Sequence, residues 1–558
     1  MNRISSIISG VLTGLIILVI GFLGLCISIN IHDTAFWILI AVAVFMSIFV
    51  GRLAFGIKDF GKVTVSKRSG SKGRKKSHTE FKLSLKPYIV PMVIIVLVAV
   101  LHFIGSPLFN STKYAAVLQV KETEFSEDIP EASATDSIAL MDTASAQMLG
   151  DREIGSLSSV VSQFNVSSNY SQIDYKGKPV KVSALGYAGF FKWINNRDNG
   201  VCGYVTVDPV SMTASYNEAK GMRYVPSAYI FEDATRYIWM KYPTVMFGNV
   251  HFEIDEQGNP YYIASTYKKT IGLFNGTTVD GCIILNPVTG DIERYSLADV
   301  PKWVDIVFDG NLLCTQFNWN GKLQNGYLNS LIGKKGCKQV TTYYTGDNEE
   351  DDDAPSCDYG YVAKDGDIWI YTGVTSLNGD SSNIGFLLAN ERTGESHYFN
   401  IAGADEKSAM AAAEGEVQEK GYQASFPSLI NVNGNSTYIM VLKDAGGLVK
   451  QYAAVNVEQY NIVTTAPTQK ECISKYKALL GIAENDEEQD TASEQITVKI
   501  SDIKYIDIDG NTYIYLIDEK NNIFKAKASA HEEMLLLKKG DTVELTCNGS
   551  KIISCTKK

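Results

Sequence analysis

His251, Glu253 and Asp255 alternate along the segment VHFEIDEQGNP. In an extended strand every second side chain points to the same face, with about 7 Å between successive members. One imidazole and two carboxylates so placed could hold a divalent metal, or could act as an acid/base pair on a hydrolysable substrate. The competing reading is a solvated strand face ahead of a turn at Gln257-Gly258-Asn259, with Phe252 and Ile254 packed inward. Asp405 and Glu406 open the stretch Ala404–Lys420, where carboxylates suit the positive end of a helix and cap it more naturally than they catalyse. Lys192, Trp193 and Arg197 form a polar-aromatic group that could line a ligand groove or simply solvate a helix end. The acidic run Asp347–Pro355 lacks the ordered spacing and the turn glycine of a calcium loop.

Beyond these groups the chain carries no nucleophile elbow, no H-E-x-x-H, no P-loop and no G-x-G-x-x-G. No cofactor is implied and no catalytic residue is singled out. An enzyme is therefore the less favoured class. Nine cysteines are present, and eight of them lie beyond the first apolar span. Their wide spacings, with no C-x-x-C, argue against a zinc or redox site but leave disulfides open for Cys202, Cys282, Cys314, Cys337, Cys357 and Cys472. Asn548-Gly549 reads as a two-residue hairpin turn, which sets Cys547 opposite Ser550 and Cys555 opposite Thr542 and keeps these two apart.

The elements that must position these residues begin with three apolar spans, about Ile7–Ile29, Ala35–Val50 and Tyr88–Ile104. A hydrocarbon core of about 30 Å needs roughly 20 apolar residues as helix. The loop 51–87 carries eleven Lys and Arg against Asp59 and Glu80, and such short basic loops stay in the cytoplasm. The amino terminus is then inside, and residues 106–558 are expected to be extracytoplasmic, at the cell membrane of a multi-pass protein. Residues 1–107 hold 12 of the 51 basic and 3 of the 62 acidic residues, which leaves 39 against 59, net −20, beyond them. So acidic a region is a poor match for nucleic acid, and none is expected as a partner. Membrane lipid and an envelope protein or peptide are the expected partners.

The expected fold class is α+β: a three-helix membrane anchor (1–107), a membrane-proximal α+β region (108–200), a β-rich repeat domain with packed helices (201–480), an acidic linker (481–495) and a small C-terminal barrel (496–558). Helices are expected at about Asp136–Gly150, Tyr187–Asn196, Leu297–Val304 and Ala404–Lys420, with an extended stretch YAAVLQV after Asn110. The repeat is an apolar strand, Asp or Asn, a short turn and a second strand. It occurs as GYVTVDPVSMTASY from Gly203, GCIILNPVTGDIERY from Gly281 and IGFLLANERTGESHYF from Ile384. A more divergent fourth unit spans Gly446–Leu480 and leads into a helix with the capping pattern Thr468-x-x-Glu471.

Strand, D/N-P-x-T-G, strand beside a helix resembles the PepSY domain, at Leu285–Ile292 and more loosely at Ala389–Ser396 and Val207–Ala214. That resemblance implies an extracytoplasmic or membrane-anchored bacterial protein linked to restraint of peptidases or to signalling. The stretch from LGDREIGSL to FPSLINVNG is similar to large membrane-anchored proteins of Gram-positive bacteria. In the last 64 residues the order βββαββ, with tight turns at Asp509-Gly510 and Asn548-Gly549, resembles an OB-type small barrel. The leading expectation is a membrane-anchored binding or regulatory protein of the envelope without an evident catalytic site. The alternatives are a metal-assisted envelope hydrolase built on the His251 strand and a structural subunit of a membrane assembly.

Overall fold

The computed structural model describes residues 3–55, 86–129, 131–132, 138, 140–341, 359–378, 382–482, 494–508, 511–520, 522–528, 531–548 and 551–558. Most of the basic loop, the acidic run 347–355 and most of the linker 481–495 lie outside them. The chain divides into two compact units, Met1–Ile482 and Ala483–Lys558.

Three helices are long and apolar enough to cross a membrane, Ile4–Gly24, Thr34–Ala54 and Lys86–Ile104. Asp33 caps the second, its side chain accepting from the Ala35 amide. The first two helices approach closely at small residues. A Cβ on Gly10 would collide with the Ser47 carbonyl, and one on Gly14 with the Ser47 hydroxyl, the use to which Gly-x-x-x-Gly is put in membrane helices. The end of the bundle that carries residues 25–34 and 102–105 is tied to the rest of the unit by polar contacts. His102 joins Thr34 at 2.8 Å and Asn275 at 2.9 Å, and His32 Nδ1 lies 2.9 Å from the Leu273 carbonyl at a hairpin tip.

After a helix at Pro107–Ala115, four antiparallel sheets succeed one another along the chain. Sheet I holds Ser171–Asp174, Pro179–Tyr187, Val201–Asp208 and Thr213–Met222; sheet II holds Met246–Ile254, Pro260–Ile271, Asn275–Leu285 and Ile292–Ser296. Sheet III holds Gly360–Lys364, Asp367–Ser376, Gly385–Asn390 and Ser396–Phe399; sheet IV holds Ser428–Val432, Asn435–Lys443, Val449–Asn456 and Val463–Ala466. Each is a four-stranded meander, with short extra strands at some edges. One of these, Val120–Glu122, pairs in parallel with Ser396–Phe399 and forms the edge of sheet III.

The sheets pack face on face in sequence order. Ile173, Val205, Phe252 and Ala264 share one core between sheets I and II. Ile263, Ile284, Ile370 and Leu387 share the next, and Trp369, Phe386, Tyr438 and Met440 the third. Sheet IV returns toward sheet I through the helix Thr143–Gly155, where Lys443 pairs with Asp142 and Gly447 abuts Met148. The arrangement is propeller-like, four small meanders around a common centre. It also explains why the strands read as near-continuous apolar runs: Asp367–Ser376 and Gly385–Asn390 are buried on both faces, between two neighbouring sheets.

All four repeat segments are the last hairpin of a sheet. Asp208 pairs with Thr213, Leu285 with Ile292, Ala389 with Ser396 and Val455 with Val463. In each the Asp or Asn side chain accepts from amides of its own turn, as when Asn286 Oδ1 takes Val288 N at 2.9 Å and Asn390 Oδ1 takes Thr393 N at 2.9 Å. Thr468 caps the helix Gln469–Leu479 by accepting from the Glu471 amide.

Several local expectations are corrected. Sheet I runs across residue 200, so 108–200 is continuous with the strands beyond it rather than a separate region. Tyr114 and Ala115 end a helix rather than opening a strand. The helix expected at 136–150 is Thr143–Gly155; it is capped by Asp142 and passes Gly150, which packs tightly against Tyr170. Tyr187 ends a strand, and the next helix begins only at Phe190, after Gly189 at φ +108°. Leu297–Val304 is a turn held by Ser296 and Asp299, with Pro301 breaking any helix; the helix of this region is Gly310–Leu323. No disulfide joins any two of the eight described cysteines, and Cys357 lies outside the described residues.

In the second unit the strands Glu494–Ile508, Asn511–Asp518, Ile523–Lys527, Thr542–Asn548 and Lys551–Lys557 surround a core of Ile514, Leu516, Met534, Val543 and Leu545. Neighbouring strands pair antiparallel, and Lys525 and Lys551 form a single parallel pair. The last hairpin turns one residue later than expected. Asn548 pairs with Lys551, and a register shift at Thr546/Cys547 sets Cys547 opposite Ile552 and Cys555 opposite Leu545.

Candidate functional site

His251 and Glu253 come together as the alternation requires, with Nε2 and Oε1 3.0 Å apart. Phe252 and Ile254 face the other way, into the core shared by sheets I and II. The Glu253 carboxylate is wholly buried, and backbone amides occupy it: Asp305 N donates to Oε2 at 2.9 Å and Ile306 N to Oε1 at 3.0 Å. Asp255 does not join them. It closes its own turn, accepting from Gln257 N at 2.9 Å, Asn259 N at 2.8 Å and Asn259 Nδ2 at 2.8 Å. Among the described residues no three His, Cys, Asp or Glu side chains converge as metal ligands. The structure therefore joins His251 to Glu253 but not to Asp255: the Glu253 carboxylate is held by loop amides of Asp305 and Ile306, and the Asp255 carboxylate within its own turn.

The other sequence candidates resolve similarly. Asp405 caps its helix through Ser408 N at 2.7 Å, and buried Glu406 accepts from Gly373 N and from Thr341 Oγ1. Burial raises the Glu406 carboxyl above its ordinary range, although those hydrogen bonds oppose it. Trp193 and Arg197 converge on Glu232 rather than on a groove. Trp193 Nε1 donates to Oε2 at 2.9 Å, Arg197 Nη2 to Oε1 at 2.9 Å, and Arg223 Nε to Oε1 at 2.7 Å. Lys192 takes no part by its side chain in those contacts.

A second set of titratable groups was not singled out from sequence. Lys181 lies on a central strand of sheet I and is 1% exposed. Its ammonium lies 3.5 Å from Thr143 Oγ1 and 5.0 Å from the centre of the Tyr361 ring. Burial pulls its pKa down to about 8, partly offset by Asp142 and Glu391. Glu391 sits in the turn of the third repeat, and its carbonyl accepts from Val307 N and Phe308 N. Its side chain is buried, and Oε2 has no hydrogen-bond partner among the described residues. Burial first, then the charges of Asp309 and Glu253, push its carboxyl well above the ordinary range. Asp305 is raised in the same sense by burial and then by Glu253. In sequence these residues are charged letters scattered through apolar or turn segments, and only the packing of sheets brings them near one another.

A third cluster lies beside the edge of sheet III. His397 Nδ1 is 2.8 Å from Asp128 Oδ1 and Nε2 is 2.9 Å from Glu395 Oε1, while Lys364 Nζ reaches Asp128 Oδ1 at 2.7 Å. Burial raises the Asp128 carboxyl, but hydrogen bonds from Lys364, Thr123 and His397 outweigh it and hold the group below its usual range. Glu395 is exposed and lines a cleft of about 600 Å³ between residues 117–121, Phe308, Gln316 and the turn 393–396. Open polar and apolar surface meets in this cleft, whereas the interior acids are enclosed.

No family model matches the chain, and no curated protein matches it. Solved structures give weak likenesses. An ancestral GH74 enzyme is 10% identical over 65% of this chain and 42% of that one, at TM-score 0.15. A mutant levansucrase of B. megaterium is 9% identical over 81% and 97%, at TM-score 0.17, and cobalt-substituted Synechocystis ACO is 8% identical over 71% and 62%, at TM-score 0.13. Scores of this size assign neither fold nor activity.

Proposed function

We propose that this is a membrane-anchored, extracytoplasmic protein of the bacterial cell envelope that binds a protein or peptide partner and restrains or regulates it. The observation that carries the reading is the 600 Å³ cleft at the edge of sheet III. Its walls are the segment leading into the edge strand Val120–Glu122 and the Thr393-Gly394-Glu395-Ser396 turn of the third, PepSY-like repeat. An open cleft where the segment entering Val120–Glu122 parts from the turn entering Ser396–Phe399 suits an extended peptide, gripped by contacts from both walls. Four interior acids, Glu253, Asp255, Glu406 and Glu232, are each engaged by the fold and so leave the open cleft as the better-suited binding surface. The small C-terminal unit reads as an OB-type barrel that adds a second protein-binding surface. The orientation rests on the basic loop 51–87, and protection of residues 106–558 from protease in spheroplasts would reverse it.

Full-length protein extracted in detergent provides the test, against a variant carrying Gln119→Trp and Thr393→Trp. Both side chains are exposed in the cleft, so the fold tolerates the change. A species retained by the wild type and lost by the variant is the expected result. Equal retention by both, or none by either, contradicts the proposal.

A further inference from the structure

The soluble part of the first unit carries an apolar knob beside the membrane helices. Phe190, Phe191 and Ile194 on one short helix are 42%, 78% and 45% exposed, and Ile230 and Phe231 on a facing loop are 54% and 56% exposed. They form one surface: the Phe190 ring lies 5.7 Å from Phe191 and 5.1 Å from Tyr229. Isolated exposed apolar residues need no explanation, but a contiguous aromatic patch does.

Its position supplies one. A single guanidinium, that of Arg236, donates from Nη1 to the Ile230 carbonyl at 2.6 Å and from Nε to the Leu23 carbonyl at 2.5 Å. Leu23 belongs to the last turn of the first membrane span, so the loop tip is tied to the end of a helix that crosses the bilayer. Trp239 Nε1 donates to the Ile27 carbonyl at 2.8 Å, and Ile29 N to the Pro243 carbonyl at 2.7 Å, which fixes the same face to the same end of the bundle. Ile20 and Leu25 at that end are themselves exposed. Ile230 is held at φ +58°, a conformation that β-branched residues avoid, and it presents its side chain outward rather than into a core.

We propose that Phe190, Phe191, Ile194, Ile230 and Phe231 are a second membrane contact, seated in the interfacial layer of the bilayer that the three helices cross. The occupant is phospholipid. Exposed aromatic and aliphatic side chains at the outer end of a membrane span have the composition of an interfacial anchor, with rings at headgroup depth, while Arg197 and Arg223 are held by Glu232 and Arg236 by the Leu23 and Ile230 carbonyls. The contact gives the face that Arg236, Trp239 and Ile29 fix to the bundle a second seat on the bilayer, beside the spans themselves. It is independent of the cleft and stands whether or not the cleft binds a peptide.

The test uses the full chain reconstituted in vesicles of phosphatidylethanolamine and phosphatidylglycerol, with a photoactivatable amino acid at Phe191 or Phe231 and, as control, at exposed Leu448 of sheet IV. Burial of such side chains among acyl chains predicts lipid adducts at 191 and 231 in at least about tenfold excess over 448. Adducts no more frequent than at 448, or adducts to a second protein chain instead of lipid, overturn the proposal. Phe191→Ser, at a position whose side chain is largely exposed, leaves the unfolding temperature unchanged but lowers lipid adducts at 231; unchanged adducts there also count against it.

Discussion

Glu253 and Glu391 are both carboxylates sealed inside the same unit, yet the protein treats them differently. Glu253 is matched by two backbone amides and an imidazole, so its burial is compensated. Glu391 keeps an oxygen without a hydrogen-bond partner among the described residues, and burial first, then the charges of Asp309 and Glu253, outweigh Lys181 and the Gly310 amide and favour its neutral form. Burial alone is therefore no sign of chemistry. A buried acid that staples segments 253 and 305 is part of the fold, whereas an undersatisfied one is a reservoir of pH sensitivity.

This contrast can be broken by substitution. Glu253→Ala leaves the Asp305 and Ile306 amides buried without acceptors and should cost about 3–5 kcal/mol, read as a large fall in thermal stability in detergent. A loss under about 1 kcal/mol would put Glu253 in the same class as Glu391. Gly373→Ala tests the other satisfied acid: its Cβ would press on the Glu406 carboxylate and on Asn383, with an expected cost of about 2 kcal/mol.

Glu391→Gln should change stability by less than about 1 kcal/mol in mild acid and become relatively stabilising as pH rises. The sign comes from its raised folded-state pKa. Between the ordinary carboxylate range and that raised value the folded state holds a proton that the unfolded state has released, so wild-type stability falls with rising pH. The variant lacks that fall, and a parallel pair of stability–pH curves would contradict the assignment. Lys181 has the opposite sign. Its pKa is lowered from 10.5 to about 8, so it contributes stability that rises with pH across that interval, and Lys181→Met should flatten the rise.

The sequence was informative where a local rule decides the outcome. Apolar length announced the three spans, and Asp208, Asn286, Asn390 and Thr468 announced turns and a cap whose side chains bond as their types require. It was misleading where burial on both faces erased periodicity. The strand Asp367–Ser376 has no polar face because sheets lie on both sides, so the four-sheet order could not be read from alternation. The helix Gly310–Leu323 left a signal in Asp309 as its cap and in Leu313 and Phe317 four residues apart. Lys181, Asp305 and Glu391 left none, since their proximity depends on how separate sheets meet.

The cleft differs from all these sites in being open, and it carries the central functional claim. A photoactivatable residue at Gln119 or Thr393 of the full-length protein, irradiated in native membranes, tests it most directly, with exposed Leu448 as the control position. The expected result is one discrete protein or peptide adduct shared by positions 119 and 393 and missing at 448. No adduct at the cleft positions, or the same adducts at 448, would contradict the account.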